Sequence, residues 1–242
     1  MKRNRFLPLF FMSIATGLLT ACSVLPEQAP VTVYQLPLPA SNASSQNSAA
    51  ANPASGVGAA SKSSLISPNP SRTEFASIRI NTPAASPTLN GTRILVSQAP
   101  YQVMAFQGVR WYDAAPRIVR NHVSQALKNG QQWQAVTTDD ANVSSRYQLG
   151  GELHAFQVDA ASNPRRVLVH IDATLVDTFD NKVIASQSFA ISKPVPDAGF
   201  DSVIATFGEA TRQLGLDIAR WAAQSVAMRA PAQADATPGR RH

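Results

Sequence analysis

Between Arg146 and Ile191 the chain carries three successive runs whose apolar residues return at every second position, and this stretch narrows the choice of fold more than any other. In the first run, Arg146 to Val158, residues Tyr147, Leu149, Gly151, Leu153 and Ala155 share one face, whereas Phe156 and Val158 fall on the other. A period of two marks a half-buried strand, and a slip of one residue turns every side chain over. The phase change near Ala155 therefore calls for a bulge or strong bend that keeps Phe156 inside. The second run is regular: Val167, Val169, Ile171, Ala173 and Leu175. Asp180-Asn181-Lys182 reads as a turn, and Val183, Ala185, Phe189 and Ile191 mark a third strand, which Pro194 and Pro196 end. Short links between long strands predict an antiparallel meander.

The period then changes. From about Phe200 to Met228, residues Val203, Phe207, Ala210, Leu214, Ile218 and Trp221 step by three or four, the stripe of a helix packed on a core. A shorter helix precedes the meander. Asp113 reads as its N-cap and Pro116 suits its first turn. Ile118, Val119, His122, Val123, Ala126 and Leu127 recur at helical spacing, and Asn129-Gly130 is a stop signal. Short β-branched or aromatic runs predict strands at Val31–Leu36, Phe75–Ile80, Thr92–Val96, Tyr101–Ala105 and Trp133–Val136, with Arg110-Trp111-Tyr112 between the last two. Together these predict a single α+β domain with a mixed, largely antiparallel sheet and two main helices covering one face or both.

The N-terminal end reads differently. Met1-Lys2-Arg3-Asn4-Arg5 is positively charged, and the apolar run from Phe6 to about Leu19 falls short of the ~20 residues a membrane span needs. That is the pattern of a secretory signal. It ends in Leu19-Thr20-Ala21-Cys22, which resembles a lipobox, so residues 1–21 are expected to be a lipoprotein signal peptide and Cys22 the acylated anchor. Each buried CH₂ contributes ~0.8 kcal/mol, so one acyl chain is marginal and two or more hold a protein stably. Cys22 is the only cysteine, which rules out an internal disulfide and a cysteine metal cluster. Ser23, rather than Asp, follows it; by resemblance to enterobacterial sorting signals this points to the periplasmic face of the outer membrane. Residues 22–39 then hold the anchor and a short first strand, and 40–72 form a Ser/Ala/Pro-rich segment too poor in large apolar residues to offset its ordering entropy. Residues 73–228 form the globular domain and 229–242 a flexible basic tail. If Val31–Leu36 joins the sheet, the tether proper is only about eight residues.

The formal net charge is +6, but Thr73 to Met228 holds 13 Lys and Arg against 13 Asp and Glu, so the excess lies outside the expected domain. A nucleic-acid face needs clustered positive charge on a folded surface, and the export signal argues against nucleic acid independently. Hydrolase, dinucleotide, P-loop and zinc-protease motifs are missing from the sequence. His154 and His170 have the opposite parity to the core residues of their strands and are expected to face solvent. Asp172 and Asp177 differ in parity on one strand and so do not face each other as an acid–base pair. Asp139-Asp140 sits in a polar loop and is expected to be solvated. The chain reads as non-enzymatic, without metal or cofactor; the remaining enzymatic alternative is a hydrolase assembled from residues distant in sequence.

Five stretches, in order, carry a resemblance: Tyr34-Gln35-Leu36 shortly after the lipid cysteine; Thr92-Arg93-Ile94-Leu95-Val96 leading through Pro100 to Tyr101-Gln102-Val103; Arg110-Trp111-Tyr112-Asp113-Ala114-Ala115-Pro116 entering the helix; Tyr147-Gln148-Leu149-Gly150-Gly151-Glu152-Leu153 with Phe156-Gln157; and Val183 to Phe189 followed by the closing helix to Trp221. In these the globular region resembles the ABC-type transport auxiliary lipoproteins, the PqiC-like family, over roughly Phe75 to Trp221; the stretch from Ala40 to Ser71 has no counterpart. The resemblance implies an outer-membrane partner of an ABC permease complex and an MCE-domain protein, moving lipids or other hydrophobic molecules between two membranes, with copies arranged as a homo-oligomeric ring. The alternative is an outer-membrane assembly or cell-wall-associated binding lipoprotein. Arg110-Trp111-Tyr112 is the candidate partner contact, since Trp and Arg are enriched at binding hot spots; a buried, structural Trp111 is the competing expectation.

Overall fold

A computed structural model describes residues 30–38, 75–99 and 101–234. The expected signal peptide, Cys22, the 40–72 segment and the last residues of the basic tail lie outside the described residues. The described residues from Val31 onward belong to one compact unit. In chain order the elements are β1 (Thr32–Tyr34), β2 (Ile78–Ile80), β3 (Ala84–Ala85), β4 (Arg93–Ala99), β5 (Gln102–Trp111), α1 (Ala115–Gly130), β6 (Val136–Thr138), β7 (Tyr147–Asp159), β8 (Arg166–Asp177), β9 (Lys182–Pro194) and α2 (Phe200–Ala234). The fold is a single-domain α+β arrangement of two helices and an open, mixed sheet of nine strands among the described residues.

β7 organises the sheet. One edge pairs antiparallel with β8 along its whole length, and β8 pairs likewise with β9, giving the expected meander. The other edge meets three short parallel partners in turn: β2 at Tyr147–Leu149, β3 at Glu152–Leu153 and β4 at Gln157–Asp159. β4 and β5 form an antiparallel hairpin, β1 lies parallel beside the end of β5, and β6 lies parallel beside β2. The three long ladders are antiparallel and the parallel pairs are short.

The phase slip in β7 has the predicted cause. Leu153 pairs with Ile171 and Ala155 with His170, which leaves His154 as an extra, bulged residue. The bulge restores Phe156 and Val158 to the core, where they are 1% and 0% exposed. Two residues before Leu153, Gly151 sits at φ 150°, and a Cβ there would lie 1.9 Å from the Asp172 carbonyl oxygen. Only glycine allows β8 to approach this closely.

Both helices cover the same face of the sheet and pack against each other. Their contact is closest at Gly215, where an added Cβ would lie 3.2 Å from both the Ala126 Cβ and the His122 carbonyl oxygen. Val203, Phe207, Ala210, Leu214 and Ile218 are buried as expected, but the stripe continues through Ala222 and Val226, with Trp221 half-buried at its margin against Phe189. α2 continues to Ala234, past the expected end at Met228.

Several boundaries move. The N-cap of α1 is Ala114, without a side-chain cap; Asp113 Oδ1 instead accepts from the Ala114 amide at 2.8 Å. Gly130 lies inside the last turn, and the left-handed cap falls on Gln131 at φ 50°. β5 runs past the expected end at Ala105 and takes in Arg110 and Trp111. Trp133 touches Phe75 in one isolated bridge, and continuous pairing starts only at Val136, where β2 supplies partners.

Candidate functional site

Trp111 and its neighbours split between core and surface because strand side chains alternate. Trp111 is 1% exposed, its ring 5.6 Å from Phe156 and 5.0 Å from Phe207 between centroids. It is a keystone between β5, β7 and α2, and is inaccessible as a contact residue. Tyr112 is 70% exposed. Arg110 is exposed on the side of the sheet away from the helices, directly opposite Arg93 across the β4–β5 hairpin. Like charges in that position repel, so the pair forms a small basic patch.

The segment after β1 packs beside this region. The Tyr112 amide donates to the Tyr34 carbonyl at 2.7 Å, the Tyr34 ring packs tilted against Phe200 with centroids 5.2 Å apart, and Leu36 is buried. Between this segment and the start of α1 lies a cleft of about 110 Å³, lined by Gln35, Leu36, Tyr112, Asp113, Asn121 and His122 among others. His122 is buried. Its Nδ1 lies 3.0 Å from the Ile118 carbonyl, and its buried Nε2 makes no hydrogen bond of good geometry, the Pro37 carbonyl being its polar neighbour. Burial pushes its pKa down, outweighing the Ile118 and Pro37 carbonyls, which favour the charged ring.

Two buried charges, Arg120 and Asp177, are held by ion pairs within the fold. Asp139 and Asp140 clamp the buried Arg120 of α1, at 2.6 and 2.7 Å. Asp139 also accepts from the Thr82 amide at 2.8 Å, so the cluster ties α1 to the segments after β2 and β6. Burial opposes the charge on Arg120, but the bonds to Asp140 and Asp139 prevail and raise its pKa. Both carboxylates stay exposed, as the polar loop predicted, and their bonds to Arg120 add a structural role. The available signal was an arginine inside an otherwise apolar helix stripe; nothing in the spacing identified its partners. Asp177 is also buried, held by Arg146 at 2.7 Å and by the amides of Phe179 and Asp180. These bonds overcome its desolvation and lower its pKa.

His154 and His170 lie on the helix-free face, with ring centroids 5.0 Å apart. His154 Nε2 lies 2.8 Å from Asp172, and His170 Nε2 lies 2.9 Å from Ser188 Oγ and 3.7 Å from Asp172. Hydrogen bonds from Ser188 and His154 hold the Asp172 carboxyl below its usual range. The grouping resembles a hydrolytic triad in composition only. Ser188 and Asp172 address the same ring nitrogen of His170, whereas a relay needs the two nitrogens engaged separately. Among the described residues no group of three or more His, Cys, Asp or Glu could hold a metal ion, and no helix is long and apolar enough to cross a membrane.

The arrangement is shared with solved structures. A crystal structure of a protein from Xanthomonas campestris superposes with a TM-score of 0.66 at 19% identity, over 83% of this chain and 99% of that one. Another, of an uncharacterised protein, gives 0.55 at 13% identity, over 79% and 97%. At these identities the likeness establishes the fold. No curated protein matches the sequence. The family model described as the ABC-type transport auxiliary lipoprotein component matches residues 60–219, and the chain belongs to that family.

Proposed function

We propose that this protein is a non-enzymatic outer-membrane lipoprotein of an ABC/MCE-type transport system, which moves lipids or other hydrophobic molecules between the inner and outer membranes. Cys22 carries the acyl chains, and the domain lies on the periplasmic face. The observation that carries the reading is that β1 enters the sheet of a transport auxiliary lipoprotein domain ten residues after the lipobox cysteine. So short a connection holds the domain next to the bilayer, where it serves as the outer-membrane end of a path. Arg110 and Tyr112 are exposed beside each other and suit an acidic, partly apolar surface on a partner, the MCE-domain protein or the permease complex. Trp111 supports that surface from inside. Copies of the lipoprotein form a homo-oligomeric ring.

Crosslinking in intact membranes, with partners identified by mass spectrometry, tests this reading. It expects an MCE-domain protein, a permease complex and multiples of the lipoprotein itself; recovery of only assembly-machine or cell-wall proteins would overturn it. Cys22→Ser is expected to leave the membrane fraction, and intact mass to show acyl groups on the wild type. Arg110→Glu combined with Tyr112→Ala is expected to fold normally and lose the partner crosslinks.

A further inference from the structure

We infer that the tip of the β4–β5 hairpin is the part of the domain that meets the lipid surface, with Tyr101, Val103 and Met104 at the headgroup level. The inference rests on the acylation of Cys22 proposed above.

Tyr101 is fully exposed, at 105%, and Val103 and Met104 are each 50% exposed. The tip turns through Tyr101, which adopts φ 67°. An amphipathic ring and two aliphatic side chains at the end of a hairpin are the composition that settles at a membrane–water interface.

The topology brings the anchor to the same end. β4 is parallel to β7 and pairs Ser97 with Asp159, so the tip lies at the end where β7 passes into β8. β1 is parallel to β5, with Thr32 beside Val109 and Tyr34 beside Trp111. Because β5 runs away from the tip, the chain enters β1 from the tip end. Val31 and Val33, at that entry, are 51% and 44% exposed. Through the register shifts of the hairpin, β5 from Arg110 back to Gln102 lies opposite only the six steps from Arg93 to Ala99, so the tip is at most about 20 Å away. The ten residues from Cys22 to Thr32 span at most about 35 Å whatever their conformation. The connection is therefore long enough for the tip to rest on the bilayer that holds the acyl chains.

The opposite end carries its own exposed aromatic residue, Phe179, 79% exposed beyond Asp177. It is separated from the tip end by the thirteen residues of β7, about 40 Å. To place Phe179 on lipid, the connection would have to double back along the domain. The occupant of the tip surface is thus the bilayer.

Because Cys22 is the only cysteine and is acylated in this reading, Tyr101→Cys and Phe179→Cys each provide one free thiol for an environment-sensitive nitrobenzoxadiazole label. The full-length lipidated protein is reconstituted into vesicles of phosphatidylethanolamine with a minority of phosphatidylglycerol, with and without nitroxide-bearing phospholipid. The label at position 101 is expected to shift to the blue and to be quenched several-fold more than the label at position 179. Equal quenching at the two positions, or stronger quenching at 179, overturns the inference. A blue-shifted label at 101 that lipid nitroxides do not quench also overturns it, and assigns the tip to a protein surface or a second copy. Failure of the chain to float with vesicles strikes at the acylation of Cys22 and takes this inference with it. Flotation with an unquenched tip strikes at this inference alone.

Discussion

Trp111 and Tyr112 are consecutive, yet one is sealed between Phe156 and Phe207 and the other is open to solvent. Their substitutions should separate accordingly. Trp111→Ala is expected to cost about 3–5 kcal/mol in urea unfolding, the range for removing a large buried aromatic. Tyr112→Ala is expected to stay within about 0.5 kcal/mol, as surface changes do. This contrast was half legible: alternation said that only one of the pair could be buried, but not which face β5 turns inward. His122 gives a pH signature. Its folded pKa is lowered, so the unfolded chain takes up the proton first. Stability is full above the unfolded value of about 6.5 and falls as pH drops from there toward the folded value. His122→Gln should flatten that part of the profile in thermal melts taken between about pH 7 and 5.

Among the elements, the meander was readable because each long strand buries one face and so must alternate. The bulge was readable because Phe156 is too large to leave in water. The short parallel strands were not readable: β3 has two residues and β6 three, too few for any period to show. The clamp on Arg120 escaped for a different reason, since its carboxylates lie nineteen and twenty residues further along the chain and only the fold brings them together. The glycine in β7 belongs to this scale as well. Gly151→Ala would place a methyl group against the Asp172 carbonyl and force the β7–β8 ladder apart. A loss of about 3 kcal/mol or more is expected, read as a fall in melting temperature, because neither backbone has room to relax.

For the whole molecule, the family match begins at residue 60, yet the sheet includes β1, upstream of it. A chain beginning at residue 60 lacks the Tyr34–Phe200 contact and the burial of Leu36. Burying one such side chain contributes about 1.5–3 kcal/mol, so its urea midpoint should fall measurably below that of the full domain. Halving the connection between Leu38 and Phe75, by contrast, should change stability by only about 0.6 kcal/mol, because closure entropy varies slowly with loop length. The neutral charge balance of the domain was evident from composition, whereas the direction in which β1 runs was not, and that direction has a mechanical consequence. In the lipid-anchored state proposed above, force from the anchor would act along β1, across its hydrogen bonds to β5. Thr32, Val33 and Tyr34 are then loaded together in shear rather than peeled off one at a time, which makes a strand of three residues a firmer mooring than its size suggests.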